Sequence, residues 1–452
     1  MNHITHRRPR PLPAVLALAL AACAPPTMTP PPTVAPGVAA PCDASRRVIV
    51  YGDAGALAVA GDTAHVVVPL PEVGAAAVCL PAASASSVRA LEAAGARVEP
   101  DPVLRIPEPA VEPGPSTAAV DQWHLAKIGA PAAWQRSRGT NVTVAVLDTG
   151  VDCSHPAIRC TAGTDYVGGR PQGPGLAGDP NGHGTHVAGI VADTGASGAS
   201  GVAPAAVIQS MRVLDTSGSG YTSTIARAIL DAGRPGVVIN MSLGGPTGAT
   251  AMRDAIAAAA AAGAIIVAAR GNSGSTAPSY PVCYEPVVGV AATDAADRRP
   301  SWSSYGDCTD VGAPGDAIVS TWPGGGYRAL SGTSMASPVA AGSIALLVAL
   351  GDRDPVGTLA RTQDGAGSGL PGRVSAVRAV GAVVPGPTVT AGPTATEAPD
   401  PTDPPGPYPA PATATRVATA RPTATRTTPG SCEAAGLVER RSAIIGRFCG
   451  PR

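Results

Sequence analysis

The sequence GTSMASP occupies residues 332–338 and leads directly into an apolar segment, VAAGSIALLVAL, at residues 339–350. A serine hydroxyl is a poor nucleophile at neutral pH unless a base and oxyanion-stabilising donors lie within reach. Ser334 stands where such a site can form, because small residues precede it and the start of a predicted helix favours developing negative charge. The alternative is a turn of small residues that begins a buried helix. A base and an acid upstream are needed to decide between the two.

Two upstream segments supply these groups. Residues 141–152, NVTVAVLDTGVD, predict a buried parallel strand with Asp148 at its carboxyl end, where open α/β sheets place their sites. Residues 181–192, NGHGTHVAGIVA, predict a turn that enters a helix at His183. Alone, a strand-end Asp is usually a cap and a single His is usually structural. Together with Ser334, they form the order Asp, His, Ser, in which the Asp orients the imidazole that accepts the serine proton.

The segments LDTGVD, HGTHVAG and GTSMASP jointly resemble the subtilisin-like serine proteases, and the resemblance covers residues 120–383. It implies a three-layer α/β fold in which a mostly parallel central sheet lies between helices. It also implies a serine endopeptidase that acts through Asp148, His183 and Ser334 by way of an acyl-enzyme intermediate, with no cofactor required for the chemistry. A zinc site at His183 and His186 is not encoded, because the two are three residues apart with no glutamate base between them.

The same resemblance assigns the oxyanion hole and the substrate cleft. Asn272 matches the side-chain donor of the oxyanion hole, and the backbone N–H of Ser334 is the second donor. An extended substrate is expected to pair with main chain on both sides of the cleft, as an added β-strand. The residues implied for substrate binding are Ser242, Leu243 and Gly244 on one side, Gly218, Gly220 and Tyr221 on the other, and Gly271 and Ser279 near the first specificity pocket.

Arg270 departs from the family pattern. Relatives commonly have a small residue at this position beside the cleft, so Arg270 reshapes the pocket or pairs with a carboxylate that the sequence does not identify. Primary specificity is therefore open. A catalytically weak subtilase-like domain that serves as a surface binding protein is the alternative function, although the intact Asp-His-Ser set and Asn272 favour the enzyme.

Two positions bear on calcium. The loop at residues 192–201, ADTGASGASG, lacks the asparagine-rich calcium site of bacterial subtilisins. Asp310, with the carbonyls of Glu285 and Val287, resembles a second cation site of proteinase K-like members. The resemblance therefore implies a structural calcium ion at Asp310.

The N-terminus has the features of an export signal. Three arginines within the first ten residues precede an apolar stretch at residues 15–22, which is too short to span a bilayer. Residues 20–23, LAAC, resemble a bacterial lipobox, in which Cys23 becomes the lipidated first residue. An ordinary cleavage site beside a chance cysteine is the alternative. The protein is predicted to be secreted or held at the cell surface by a lipid anchor.

Composition divides the chain into segments. The 49 prolines and 55 glycines among 452 residues are spread unevenly, so one folded domain with tails fits better than three. The predicted boundaries are a signal peptide with lipobox at 1–23, a Pro-rich tether at 24–44, a propeptide at 45–115, the catalytic domain at 116–383, a Pro/Thr-rich disordered linker at 384–430 and a short Cys-closed tail at 431–452.

The predicted propeptide is a small α+β unit. Strands are expected at residues 46–52, 65–70 and 96–106, and a helix at 84–95. The unit resembles, by position and by its helix followed by a VEPD strand, the propeptide of secreted subtilases, which inhibits its own enzyme. A free-standing binding module is the alternative. We expect the cut in the Pro-rich connector at 106–120.

The cysteines predict disulfides, and the net charge limits the classes of binding partner. Of nine cysteines, eight remain when Cys23 is set aside. Local pairing is the simplest hypothesis, although sequence alone allows about 105 connectivities. The pairs would be Cys42 with Cys79, Cys153 with Cys160, Cys283 with Cys308, and Cys432 with Cys449.

A formal net charge of +0, with no basic block, gives no reason to propose nucleic acid as a partner. The implied partners are protein or peptide substrates and the chain's own propeptide, and we expect a monomer.

Cys23→Ser should move the protein from the membrane fraction into the medium, or leave it unprocessed, because the lipobox cysteine carries the anchor. Stable anchoring needs more than one acyl chain, since a single chain holds a protein only weakly. Cell fractionation followed by immunoblotting measures the change. Identical fractionation of parent and variant would contradict the lipoprotein assignment.

Overall fold

The computed structural model describes residues 42, 45–52, 65–80, 85–107, 122–167, 171–173, 178–365, 369–383, 438–442 and 446–450. The predicted signal peptide, its Cys23 and the Pro/Thr-rich linker lie outside the described residues, as does Cys432. In the part of the chain that is described, no helix is long and apolar enough to cross a membrane.

The described residues between 45 and 107 form a small unit, here called the N-terminal unit. Its elements are β1 (Arg47–Tyr51), β2 (His65–Leu70), a 3₁₀ turn (Pro71–Val73), β3 (Ala75–Cys79), α1 (Ala85–Ala93), β4 (Arg97–Pro100) and β5 (Val103–Arg105). Four of the strands form an antiparallel sheet in the order β2-β3-β1-β4. Helix α1 covers one face of this sheet, where Leu91 packs with Val50 and Val78.

Two details of the N-terminal unit differ from the sequence expectation. Strand β3 was not predicted, because its sequence AAAVC is rich in alanine, which strands disfavour. The single strand expected at 96–106 is two strands, separated around Pro102, which has no N–H for a sheet ladder. Strand β4 stays in the antiparallel sheet, whereas β5 leaves it and pairs with the larger domain.

The larger domain, here called the main domain, contains one large sheet and the helices on its two faces. Its elements are α2 (Trp123–Lys127), α3 (Ala130–Ala133), β6 (Thr143–Asp148), β7 (Cys160–Asp165), β8 (Pro171–Gln172), α4 (His183–Ala192), β9 (Val207–Arg212), β10 (Ser219–Tyr221), α5 (Thr222–Ala232), β11 (Val238–Met241), α6 (Thr250–Ala261), β12 (Ile265–Ala269), β13 (Val288–Thr293), β14 (Val311–Pro314), β15 (Ile318–Trp322), β16 (Gly326–Leu330), α7 (Thr333–Ala349), α8 (Pro355–Arg361) and α9 (Ala376–Ala382). In the C-terminal tail, β17 (Val438–Ser442) and β18 (Gly446–Gly450) pair in antiparallel orientation.

The large sheet runs in the order β14-β13-β12-β11-β6-β9-β7-β8, and the pairings are parallel except that of β7 with β8. Alternate residues of β6 enter different cores. Val144 and Val146 pack with α4 and α7, whereas Ala145 and Leu147 pack with α5 and α6. The strands are therefore buried on both faces, as their continuous apolar sequences predict. The three-layer α/β fold predicted from the sequence is confirmed.

Helix α7 is buried on every side through most of its length, from Thr333 to Leu347. A helix that is apolar all round needs such an environment. It packs against the sheet and against α4 and α9, so its first turn has a fixed position at the carboxyl ends of the parallel strands. Ser334 is the second residue of this helix.

Disulfides join three of the four predicted cysteine pairs. Cys42 is bonded to Cys79, Cys153 to Cys160 and Cys283 to Cys308. The fourth predicted pair involves Cys432, which lies outside the described residues.

Candidate active site

Asp148 and His183 meet at the end of β6. His183 is the first residue of α4, and its Nδ1 lies 2.8 Å and 3.0 Å from the two carboxylate oxygens of Asp148. Asp148 is fully buried, and one of its oxygens also accepts the N–H of Thr149 at 2.7 Å. A carboxylate bound at Nδ1 fixes the imidazole as the tautomer whose Nε2 has a free lone pair.

The carboxylate of Asp179 holds the two elements together. It accepts the hydroxyl of Thr149 at 2.8 Å, the N–H of Gly182 at 2.8 Å, and both the N–H and the hydroxyl of Thr185, at 2.8 Å and 2.7 Å. Burial raises the pKa of Asp179, while these hydrogen bonds act in the opposite direction. Asp179 could not be singled out from the sequence, because it lies four residues before His183 and the residue directly before the helix, where a cap is expected, is Gly182.

Ser334 lies close to this pair at the start of α7 and is buried. In this structure its hydroxyl donates to the carbonyl oxygen of Ser242 at 3.3 Å, and the hydroxyl of Ser242 donates to the carbonyl of Ser334 at 2.8 Å. Nε2 of His183 is buried and has no hydrogen-bond partner among the described residues. Ser334 and His183 line one cavity of about 270 Å³. The Ser334 hydroxyl and Nε2 of His183 are therefore not hydrogen-bonded to each other in this structure.

Asn272 has a fixed amide orientation. Its Oδ1 accepts the N–H and the hydroxyl of Thr333, at 2.9 Å and 2.8 Å. Because both of these donors bind Oδ1, Nδ2 has to point away from Thr333 and into the cleft. The Thr333 hydroxyl also accepts the N–H of Gly271, a residue with φ of 105°, at 3.0 Å. Thr333 is a positioning residue that the sequence analysis quoted within GTSMASP without giving it a role.

Four of the residues predicted to bind an extended substrate pair with a segment of this chain. Strand β5 pairs in antiparallel orientation with β10, matching Ser219 to Arg105, Gly220 to Leu104 and Tyr221 to Val103. On the other side, the N–H and carbonyl groups of Arg105 and Gly244 exchange hydrogen bonds of 3.0 Å and 2.8 Å. One more hydrogen bond runs from the N–H of Ile106 to the carbonyl of Gly218, at 2.9 Å.

The cleft residues fall into two groups. Gly218, Gly220, Tyr221 and Gly244 touch the inserted strand, whereas Ser242 and Leu243 are fully buried. Gly245, which the sequence analysis did not name, also approaches the strand, because a Cβ on it would lie 2.9 Å from the Leu104 side chain. The inserted strand therefore binds the cleft through main-chain hydrogen bonds. Leu104 is the only residue of β5 that is buried.

A second cavity of about 490 Å³, here called the S1 cavity, opens beside Pro107. Its walls include Gly244, Gly271, Ser279 and Arg270. The carbonyl oxygen of Pro107 lies 3.4 Å from Nδ2 of Asn272, which is long for a hydrogen bond. The chain direction therefore leads from the paired strand to the predicted oxyanion donor, and Pro107, the residue at that point, lines the S1 cavity.

Comparison with known proteins agrees with this geometry. A sequence model described as the Subtilase family matches residues 139–362. Thermitase of Thermoactinomyces vulgaris is 43% identical over 237 residues, which cover 51% of this chain and 83% of thermitase. Subtilisin Savinase of Lederbergia lenta is 44% identical over 228 residues, which cover 50% of this chain and 83% of that protein. This chain belongs to the subtilase family.

One solved structure adds a comparison of folds. Fervidolysin from Fervidobacterium pennivorans, a keratinolytic enzyme related to subtilisin, has a TM-score of 0.65 and 27% sequence identity to this chain, over 75% of this chain and 61% of fervidolysin. The family and these relatives make the subtilase described here a serine endopeptidase. The family match begins at residue 139, so it does not include the N-terminal unit.

Two other positions considered for metal binding, His186 and the loop at 192–201, bind groups of the protein itself. Nε2 of His186 lies 3.0 Å from the carbonyl oxygens of both Ile318 and Arg328, and burial lowers the pKa of His186 to about 3. The loop at 192–201 is bound to the side chain of Gln122, which accepts the N–H of Ser200 at 2.7 Å and donates to its carbonyl at 2.8 Å.

Calcium at Asp310 stays a prediction. The Asp310 carboxylate accepts the N–H of Gly289 at 2.8 Å, and burial, with the nearby charge of Glu285, raises the pKa of Asp310. Two neighbouring acids suit a cation, but calcium takes about six to eight oxygen ligands. Within the described ranges, no group of three or more His, Cys, Asp or Glu side chains could hold a metal. Any calcium here would depend mainly on backbone carbonyls and water.

Asn272→Ala should lower kcat by about 10² to 10³ with little change in KM, the loss known for the equivalent donor in subtilisin. The amide binds the substrate more strongly in the transition state than in the ground state, so its removal affects turnover. Steady-state kinetics on a chromogenic peptide measures both constants, and an unchanged melting temperature controls for folding. Unchanged kcat would mean that another donor fills the hole.

Proposed function

We propose that this subtilase is a secreted or surface-anchored endopeptidase that uses Asp148, His183 and Ser334 as its catalytic triad and is made as a self-processing zymogen. The observation that carries the proposal is the insertion of strand β5 and Pro107 into the cleft that ends at Asn272 and Ser334. The strand has the chain direction and main-chain pairing of a bound substrate.

The reaction begins when the Ser334 hydroxyl leaves Ser242 and donates to Nε2 of His183. Its oxygen attacks the scissile carbonyl carbon while the proton passes to the imidazole. Asp148, 2.8 Å from Nδ1, stabilises the imidazolium that forms. His183 then protonates the leaving amine, which leaves an acyl group on Ser334. A water molecule repeats these steps and releases the acid product.

The developing oxyanion is stabilised by two donors. One is Nδ2 of Asn272, oriented by Thr333, and the other is the N–H of Ser334. The Ser334 N–H belongs to the first turn of α7, where backbone donors have no acceptor within the helix. Both donors are oriented by the fold itself, through Thr333 and the first turn of α7, so little reorganisation is needed during the reaction.

The N-terminal unit acts as the propeptide. Besides β5, it contacts the main domain through two carboxylates at two helix starts. Asp101 accepts the N–H of Ser223 at 2.9 Å in the first turn of α5, and Glu99 accepts the N–H of Thr250 at 2.9 Å at the start of α6. Neither helix has a side-chain cap from its own N-cap residue. The unit therefore supplies the acceptors that these helices lack, with favourable charge.

Arg47 reinforces the Asp101 contact. Its Nε donates to Asp101 at 2.6 Å, and its Nη2 donates to the hydroxyls of Ser223 and Thr224, at 2.9 Å and 3.1 Å. The guanidinium also lies 4.0 Å from the ring centroid of Tyr221. Because Arg47 and Asp101 are both buried, their charges are tolerable only while the contacts remain paired. Such an interface suits a specific, tightly bound inhibitor.

The first bond to be cut is the one between Pro107 and Glu108. The support is the 3.4 Å separation of the Pro107 carbonyl oxygen from Nδ2 of Asn272, with residues 103–106 paired to both sides of the cleft. This bond lies within the connector predicted at 106–120. With this cut, the proposed propeptide ends at residue 107, whereas the sequence predicted an end at residue 115. The lipid anchor at Cys23 rests on the sequence alone, and because Cys23 lies on the propeptide side of this bond, it anchors the uncut precursor.

Ser334→Ala should accumulate as an uncut precursor, because the first cleavage depends on the hydroxyl that the substitution removes. Loss of the nucleophile lowers catalysis by about 10⁶ in subtilisin. Mass spectrometry of protein made in a host that lacks other extracellular proteases measures the N-terminus, which we expect at Glu108 in the parent. A cut N-terminus in Ser334→Ala would show that another protease performs the processing.

The same pair of samples separates the enzyme from a surface binding protein. The parent should hydrolyse casein, and a serine-directed phosphonate should block this activity. Ser334→Ala should not hydrolyse casein. If the processed parent leaves casein intact, the alternative of a surface binding protein is favoured.

Glu99→Gln and Asp101→Asn together should weaken inhibition by the cut propeptide about 10- to 100-fold, since each removes a charge from hydrogen bonds at a helix start. Activity should then appear sooner after processing, which a time course with a fluorogenic peptide measures. Glu92→Gln is the matched control, because Glu92 is exposed on α1. An equal lag in all three proteins would mean that the helix contacts do not hold the propeptide.

A further inference from the structure

The buried cation at Arg270 is unusual for a specificity pocket. Arg270 follows β12 directly and is 1% exposed. The hydrogen bonds of its guanidinium all go from Nη2 to backbone carbonyl oxygens, those of Thr276, Ala277 and Tyr305, each at 3.1 Å. Nε is buried and has no hydrogen-bond partner among the described residues. The guanidinium thus has neutral acceptors where buried charges usually have a carboxylate.

The surrounding charges do not neutralise Arg270. Asp307, the acid that acts on it through space, is exposed to solvent and therefore screened. Burial lowers the pKa of Arg270, but an arginine stays protonated at neutral pH. From the sequence, Arg270 was expected to reshape the pocket or to pair with a carboxylate. Its hydrogen-bond acceptors are carbonyl oxygens, so its positive charge is not neutralised by them.

Arg270 lies in the wall of the S1 cavity, beside the position where the residue before the scissile bond stands. Pro107 occupies that position here, and its short ring leaves a cavity of about 490 Å³ open. Ser279 and Ser304 also line this cavity, but their hydroxyl groups already have partners, the carbonyl oxygen of Gly245 at 3.4 Å and the hydroxyl of Ser273 at 3.1 Å. The buried cation in the wall of an open pocket is therefore the feature that favours a carboxylate.

We propose that Arg270 makes the S1 cavity selective by charge, so that the enzyme prefers glutamate or aspartate immediately before the scissile bond and disfavours lysine and arginine. This inference rests on the proposed function, because it assigns the S1 cavity to that substrate residue. The charge acts without direct contact, since a buried charge is poorly screened.

The size of the effect can be bounded. Two unit charges about 6 to 10 Å apart, at an effective dielectric constant near 20, change binding by about 10- to 100-fold. The comparison of glutamate with glutamine isolates this factor, because the two side chains have nearly the same shape. A role of Arg270 as a clamp between residues 276–277 and Tyr305 would instead affect all substrates equally.

Self-cleavage after Pro107 is compatible with this selectivity. The connector is part of the same chain, so the first cut is intramolecular and benefits from a high effective concentration. Strand pairing and the helix contacts of Glu99 and Asp101 hold it in register. The S1 cavity then contributes little to processing, and its preference governs only substrates that arrive from solution.

The test uses the processed enzyme and three peptides that carry leucine four residues before the scissile bond and differ only at the residue before it, which is Glu, Gln or Lys. We expect kcat/KM for Glu to exceed that for Gln about 10- to 100-fold, and Lys to be the poorest. In Arg270→Met the Glu-to-Gln ratio should fall to about one, whereas Arg270→Lys should retain part of it. Arg298→Met is the matched control, since its side chain is 75% exposed and pairs with Asp294.

The outcomes are separable. If the parent enzyme cleaves the Glu and Gln peptides with nearly equal kcat/KM, the proposal is wrong. This result does not depend on the variants, so the test remains decisive even if Arg270→Met folds poorly. A ratio that stays high in Arg270→Met, while activity on all peptides falls together, assigns Arg270 to the clamp alone and also overturns it. Failure of the parent to cut any of these peptides or casein would instead count against the proposed function itself.

Discussion

The buried carboxylate of Asp179 is the contact on which the arrangement of this site depends. A buried charge is costly unless its lone pairs are filled, and Asp179 fills them with groups from two elements, the turn after β6 and the first turn of α4. Satisfying this one group therefore fixes the helix start against the strand end. Close packing supports the same fit, because a Cβ on Gly184 would lie 2.0 Å from the carbonyl oxygen of Gly150. Asp148 and His183 meet because of these two constraints.

The same physical principle operates between the N-terminal unit and the main domain. Helices α5 and α6 begin without side-chain caps of their own, and Glu99 and Asp101 provide the missing acceptors. Most of this recognition takes place away from Ser334. An inhibitor anchored at helix starts does not need an ideal side chain next to the nucleophile, and the small Pro107 at that position agrees with such a division of roles.

The sequence predicted the fold and the meeting of the main motifs because both depend on local patterns. The apolar run of β6 requires a sheet buried on both faces, and the glycine-flanked His183 requires a tight helix entry. The pairings that depend on distant residues were not predictable. Strand β5 pairs with β10 of the main domain and not with the sheet of the N-terminal unit. The Arg270 guanidinium binds carbonyl oxygens on two separate loops. The spacing of apolar residues along the sequence does not indicate either contact. The Ser334 hydroxyl, which donates to Ser242, is equally a matter of three-dimensional context.

These features separate three tasks that a protease cleft has to perform. Register comes from main-chain pairing with Gly244 and β10, which accepts many sequences because every residue carries the same backbone groups. In the proposed zymogen, inhibition comes from the helix contacts of Glu99 and Asp101, which a substrate lacks. Side-chain choice is then left to the S1 cavity and Arg270. Since Pro107 leaves that cavity open, the selectivity proposed for Arg270 is independent of the contacts that bind the N-terminal unit.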